Sequence, residues 1–184
     1  QENPIRAKAC GAKAEIIGRL IDHYYEIRAG IGANKSPELY GAFPFDAYSH
    51  TPSTAGAQQP GMTGQVKEDI LNRWAELGLA PHKGELHIDP FFLSEEEFLK
   101  TESQFRYLDV NGDWQQIELK PGELAFSYCA VPFVYSKGKG STGLVLELKN
   151  GEKISQKETL LNTNYSASLF ARDGSIEIIR LSLP

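Results

Sequence analysis

Between residues 46 and 68, seven side chains could do chemistry on a polyhydroxylated ligand. Asp46, Tyr48, His50, Gln58, Gln59, Gln65 and Glu68 combine carboxylates, neutral amides, an imidazole and a phenol, with Leu39, Tyr40, Phe43 and Phe45 just upstream. Amides and carboxylates exchange hydrogen bonds with hydroxyl groups in both directions, and flat aromatic faces stack on the C–H faces of a pyranose ring. The mixture suits a saccharide. Glu68 and Asp46 are the candidate catalytic carboxylates; Tyr48, His50, Gln58, Gln59 and Gln65 are the candidate substrate-binding residues. A bland reading stands beside this one. The loop could pack under its own side chains, and Glu68 and Asp69 are what any first helical turn prefers electrostatically.

Asp46, Tyr48, His50, Gln58 and Gln59 are carried by a stretch, 30–63, with neither helical nor strand period, and Gln65 and Glu68 follow it. It holds Pro37, Pro44, Pro52 and Pro60 among Gly, Ser, Thr and Asn. Connections this long inside a domain are usually functional or disordered. The aromatic content is higher than a disordered linker carries, which favours an ordered, functional loop.

The flanking elements must position it. Upstream, Ile5, Ala9, Ala12, Ile16, Leu20, Tyr24 and Ile27 recur at three- and four-residue steps, predicting one long helix from Pro4 to Arg28 with Asn3 as its N-cap. Ile17, Ile21 and Tyr25 widen its apolar arc, and Cys10, Gly11, Ala14 and Gly18 would let another helix approach closely. Such a helix expects neighbours on more than one side. Downstream, Thr63 caps a second helix, Gly64 to Leu77, with Val66, Ile70, Trp74 and Leu77 as its buried stripe and Gly78 as its stop. With one other long helix in 184 residues and Gln1 at the start, the chain is expected to be a piece of a longer helical protein.

From Gly84 the pattern turns to strands. Leu86 and Ile88 alternate with polar residues until Pro90, and Ser94–Glu97 opens a short capped helix. Asn111-Gly112, Asn150-Gly151 and Asp173-Gly174 each signal a hairpin, the last between strands 166–171 and 175–183. The fold class is therefore α+β: a helical segment over 1–83 followed by an antiparallel, β-sandwich-like domain over 84–184.

Other motifs dissolve. Asp109–Asp113 starts like a calcium loop but has no distal Glu. Residues 137–142, KGKGST, lack the P-loop order. His82 and His87 have no third ligand at metal spacing, so neither metal nor cofactor is implied. Asn34-Lys-Ser36 and Asn164-Tyr-Ser166 match the glycosylation acceptor. Cys10 and Cys129 could form one bridge at most. A net charge of −5 argues against nucleic acid, and no apolar run is long enough to span a bilayer. The compartment stays open, leaning to secreted or periplasmic.

One stretch has a wider resemblance. Gly61, Thr63, Gly64, Ile70, Leu71, Gly78, Leu79, Gly84, Leu86, Ile88 and Pro90 fall in an order that resembles the end of the (α/α)6-barrel, six-hairpin glycosidases and cellobiose-phosphorylase-like enzymes, over about residues 56–90. In that family a Gly-rich loop with a Thr-Gly step enters a late barrel helix, and a G-x-L-x-I-x-P strand leads into β structure. The family's Trp ahead of Thr-Gly is replaced here by Gln58-Gln-Pro-Gly-Met62. Its mid-barrel Asp has no counterpart in this chain. The resemblance implies a C-terminal portion of a carbohydrate-active hydrolase or phosphorylase. Such a chain would have carbohydrate and an upstream helical barrel as partners, and part of a saccharide site without the full catalytic pair. A non-catalytic carbohydrate-binding or adhesion module, or a structural interaction domain, is the alternative.

Overall fold

The computed structural model describes residues 2–30, 63–138 and 142–184 and divides the chain into two units, Gln1–Ala75 and Glu76–Pro184. The architecture is α+β, helices first and strands after.

The expected first helix is two helices, α1 (Glu2–Ala9) and α2 (Ala14–Gly30). Gly11 is the reason. It adopts φ +70°, and around it the Gly11 N–H donates to Lys8 O while the Ala12 N–H donates to Ala7 O. That pair of bonds is a Schellman stop, which uses the left-handed conformation that glycine adopts without penalty. Gly11 therefore ends a helix, where its small size had suggested close helix packing. Of the described α2 side chains, Ala14 to Glu26, none is buried, and Ile16 is 41% exposed. Helix α3 (Thr63–Glu76) follows. Its expected buried stripe is only partly so: Leu77, just past the helix, is enclosed, but Ile70, Leu71 and Trp74 are 47%, 52% and 38% exposed. Burial starts at Glu76, where the chain enters the core of the second unit.

Strand structure begins ahead of Gly84, with β1 (Leu79–His82) paired to β2 (Glu85–Ile88). The two-residue turn has Lys83 and Gly84 both at positive φ, the primed turn that matches strand twist. The 3₁₀ turn Glu95–Glu97 comes next, with Ser94 Oγ accepting from the Glu96 N–H, as the capping pattern implied. Then come β3 (Ser103–Leu108), β4 (Trp114–Leu119), β5 (Glu123–Tyr128), β6 (Val131–Lys137), β7 (Gly143–Leu148), β8 (Lys153–Gln156), β9 (Leu160–Leu161), α4 (Thr163–Ala171) and β10 (Ile176–Leu183).

The third expected hairpin is absent, because residues 166–171 are helical. Asn162 caps α4 by accepting from the Asn164 and Tyr165 N–H groups, and Arg172, at φ +53°, closes it with a second Schellman pair. Ser166 is fully buried there. Its Oγ donates to Leu161 O and accepts from the Leu86 N–H, tying α4 to β9 and β2.

The central sheet runs β5-β6-β10-β7-β8, and β6 and β10 are parallel while its other neighbours are antiparallel. Both of its faces are covered. Phe133, Tyr135, Ile179 and Leu181 meet β1, β2, β9 and α4 on one side, while Val134 and Ile178 meet Leu119 of the β3–β4 hairpin on the other. A strand covered on both faces must be apolar at successive positions, and Val131 to Tyr135 are all buried. Both cysteines are free thiols. Cys129 and Ala130 form the β5–β6 turn with both residues at positive φ, a conformation that non-glycine residues rarely adopt.

Leu77 and Gly78 join α3 to this core. Tyr135 Oη donates to Leu77 O at 2.7 Å, and the Asp89 N–H donates to Gly78 O at 2.9 Å. Gly78 has φ +73°, and a Cβ there would collide with the Asp89 and Pro90 backbone. Gly78→Ala should therefore destabilise the β unit by about 1–3 kcal/mol or more, combining backbone strain with overpacking. Urea denaturation should show a lower midpoint at unchanged slope.

Candidate functional site

The expected site residues divide by position. Asp46, Tyr48, His50, Gln58 and Gln59 lie outside the described residues. Gln65 and Glu68 fall on α3, but their side chains lie outside the described set.

Within the β unit, a cleft of about 360 Å³ opens between the segment after β2, the 3₁₀ turn and the ends of β6 and β10. That size falls in the range of small-molecule sites. A second hollow, between Tyr107, Gln115 and Glu177, is only about 90 Å³. Its carboxylate Asp109 is already committed, accepting from the Asn111 and Asp113 N–H groups and from Gln115 Nε2. The spacing that looked like a calcium loop is thus a hairpin turn, a type I turn with Gly112 at φ +83°. We take the larger cleft as the candidate site of this unit.

Its floor is apolar. Ile88, Leu181 and Phe98 are buried there, at the ends of strands whose inward residues form the core. Its rim is polar, and Lys137 organises it. Lys137 Nζ lies 2.7 Å from Glu95 Oε1 and 5.2 Å from the centre of the Phe98 ring. The ammonium therefore meets a carboxylate and an aromatic face together, two favourable contacts for one cation. Asp89, Thr142 and Thr159 complete the polar margin.

The electrostatics limit the chemistry. Hydrogen bonding to Lys137 and its charge hold the Glu95 carboxyl below the ordinary 4.5. A carboxyl so held is ionised near neutral pH and accepts hydrogen bonds; it does not deliver protons. The cleft can bind a small polar ligand with an apolar face. Buried phenols add no acid–base function either, since burial pushes the Tyr135 hydroxyl far above its usual range.

None of the cleft residues stands out in the sequence as a site residue. Glu95 read as a helix-start acid and Lys137 as part of a basic turn; nothing in their spacing, 42 positions apart, links them. The chain matches no protein-family model, and no curated protein matches it.

The Glu95–Lys137 pair gives a direct pH test. Because the folded carboxyl titrates below its ordinary value, the pair stabilises the fold above about pH 4.5 and its contribution is lost as pH falls through the folded value. Carbon-13 NMR of the Glu95 carboxyl should show that low midpoint, and Lys137→Met should return it toward 4.5.

Proposed function

We propose that this chain is the C-terminal portion of a carbohydrate-active (α/α)6-type enzyme, a glycoside hydrolase or phosphorylase. In this reading the 36–68 region forms one wall of the saccharide site, and the β unit is an attached domain.

One observation carries the proposal: none of the described apolar side chains of α2 and α3 is fully buried. Every described α2 side chain is exposed or half-buried, and on α3 Ile70, Leu71 and Trp74 keep between about a third and a half of their surface exposed. Helices with a wide, unburied apolar arc are completed by other helices, as in a barrel of helical hairpins. The order of elements agrees, because α3 ends at a left-handed Gly78 and runs directly into the β1–β2 hairpin. That is the helix-to-strand step the resemblance implies. The saccharide class follows from the mixture of amides, carboxylates and aromatics in residues 39–68.

Catalysis on a glycosidic bond needs two carboxylates flanking it, separated by roughly 6.5–9.5 Å when a water must fit between them. This chain offers Glu68 or Asp46 for one role, and the upstream barrel supplies the other. A single carboxylate cannot act on both faces of the ring, so turnover belongs to the longer protein.

Substitution separates this from a structural loop. In the longer protein, Glu68→Gln should lower turnover on its oligosaccharide substrate by about 100-fold or more, on the scale of a lost general acid or base. Gln59→Ala should chiefly weaken saccharide binding. Both should leave the thermal midpoint within a degree or two. Unchanged sugar handling with a lower midpoint would make the loop structural and overturn the assignment.

A further inference from the structure

The β3–β4 hairpin carries an outward face separate from the cleft of the β unit. In its register Leu108 opposes Trp114, Arg106 opposes Gln116 and Gln104 opposes Glu118. Side chains alternate across a strand, so these six share one face while Phe105 and Ile117 pack inward against the second core cluster. Trp114 is 63% exposed and Leu108 45%. An indole left this open beside an exposed leucine is the most exposed of the large apolar residues described.

The ring is held in place. The Arg106 guanidinium stacks over Trp114, its Cζ 5.0 Å from the ring centre. The indole therefore has a cation over its ring while 63% of the residue stays exposed. Along the strand from the indole, Gln104 Nε2 and Gln116 Nε2 both donate to Glu118 Oε1, at 2.9 and 3.2 Å. These bonds fix the two amides and leave their oxygens as hydroxyl acceptors. The hairpin beneath is rigid, because Asp109 closes its turn by accepting from two backbone N–H groups. The result is a prearranged strip: an aromatic ring at one end, and hydrogen-bonding amides and a carboxylate at the other.

We propose that this strip is a binding platform for a neutral glycan chain, with Trp114 stacking on one sugar ring and Gln104, Gln116 and Glu118 bonding the hydroxyls of the next. It shares with the reading above the premise of a saccharide ligand but uses a different surface. Charge decides among occupants. Arg106 and Glu118 balance, so the face has no formal net charge, in a chain of net charge −5. Single-stranded nucleic acid would also stack on tryptophan, yet it needs a basic groove to follow its phosphates. A second copy of the chain would have only Leu108 and Trp114 to bury, too little apolar surface for a stable interface. Neutral hydroxyl-rich rings match both the plane and the polar row.

The test uses the 184-residue chain and affinity electrophoresis through cellulose-derived, mixed-linkage β-glucan, starch and mannan gels. At least one polysaccharide should retard the chain. Trp114→Ala should weaken that retardation about tenfold, and Trp114→Phe should keep part of it. Gln116→Ala, which leaves the indole intact, should weaken it too and guards against a folding artefact. Tryptophan fluorescence in a Trp74→Phe background should shift when the retarding polysaccharide is added. Retardation by none of the four, or equal retardation of Trp114→Ala and wild type, overturns the platform. So does a Trp114→Ala effect confined to oligomeric state in sedimentation, or retention displaced by a single-stranded oligonucleotide. Turnover of soluble oligosaccharide by the longer protein, dependent on Glu68 but not on Trp114, would uphold the enzyme reading even if the platform failed.

Discussion

Tyr135 is fully enclosed at the centre of the five-stranded sheet, and its hydroxyl donates to the carbonyl of Leu77. That bond lets an aromatic residue sit in the core without an unsatisfied polar atom, a loss worth about 1–3 kcal/mol. It also fixes where the helical part of the chain must end. Leu77 is the last residue before Gly78, whose missing side chain lets the Asp89–Pro90 backbone close over it. The β1–β2 hairpin then folds back, and Leu86 and Ile88 fill the core face beside Phe133 and Tyr135. The cleft depends on the same anchor, because the residues after β2 that form its wall start from Asp89, whose N–H is bound to Gly78.

Much of this was readable from local chemistry. The Leu86/Ile88 alternation, the Asn-Gly turns at 111 and 150, the cap at Ser94 and the glycine stop at 78 each act within a few residues. What was not readable depends on distant partners or on ambiguous residues. Gly11 fits a crowded helix face as well as a helix end, and only the Ala12 and Gly11 hydrogen bonds decide between them. Residues 163–171 are short and apolar enough for a strand, yet Asn162 caps them into a helix whose Leu169 enters the core. Cys129-Ala130 turns the chain without the glycine that would signal it. The parallel pairing of β6 with β10 joins segments some 45 residues apart and leaves no local trace.

The candidate sites differ in the same way. The amides, carboxylates and ring side chains of 46–68 lie within one stretch of sequence and are legible from composition. The cleft and the hairpin platform are assembled by folding, the first from segments near 90, 95, 137 and 181, the second from alternate residues of two strands. Trp114 follows the Asn111-Gly112 turn with nothing local to mark it; its exposure and its guanidinium partner emerge only once strand parity is known. A division of labour follows from the account. In the proposed reading, chemistry would belong to the loop and an upstream barrel, while the β unit contributes the anchored core and the surfaces described above.

The most direct test follows anomeric protons by NMR while neutral oligosaccharides are incubated with the 184-residue chain alone and with the longer protein, each with and without inorganic phosphate. The account predicts time-dependent loss of glycosidic signals, or appearance of a sugar phosphate, with the longer protein only. Turnover by the chain alone would show a complete active site within these residues, and turnover by neither would contradict the carbohydrate-active assignment.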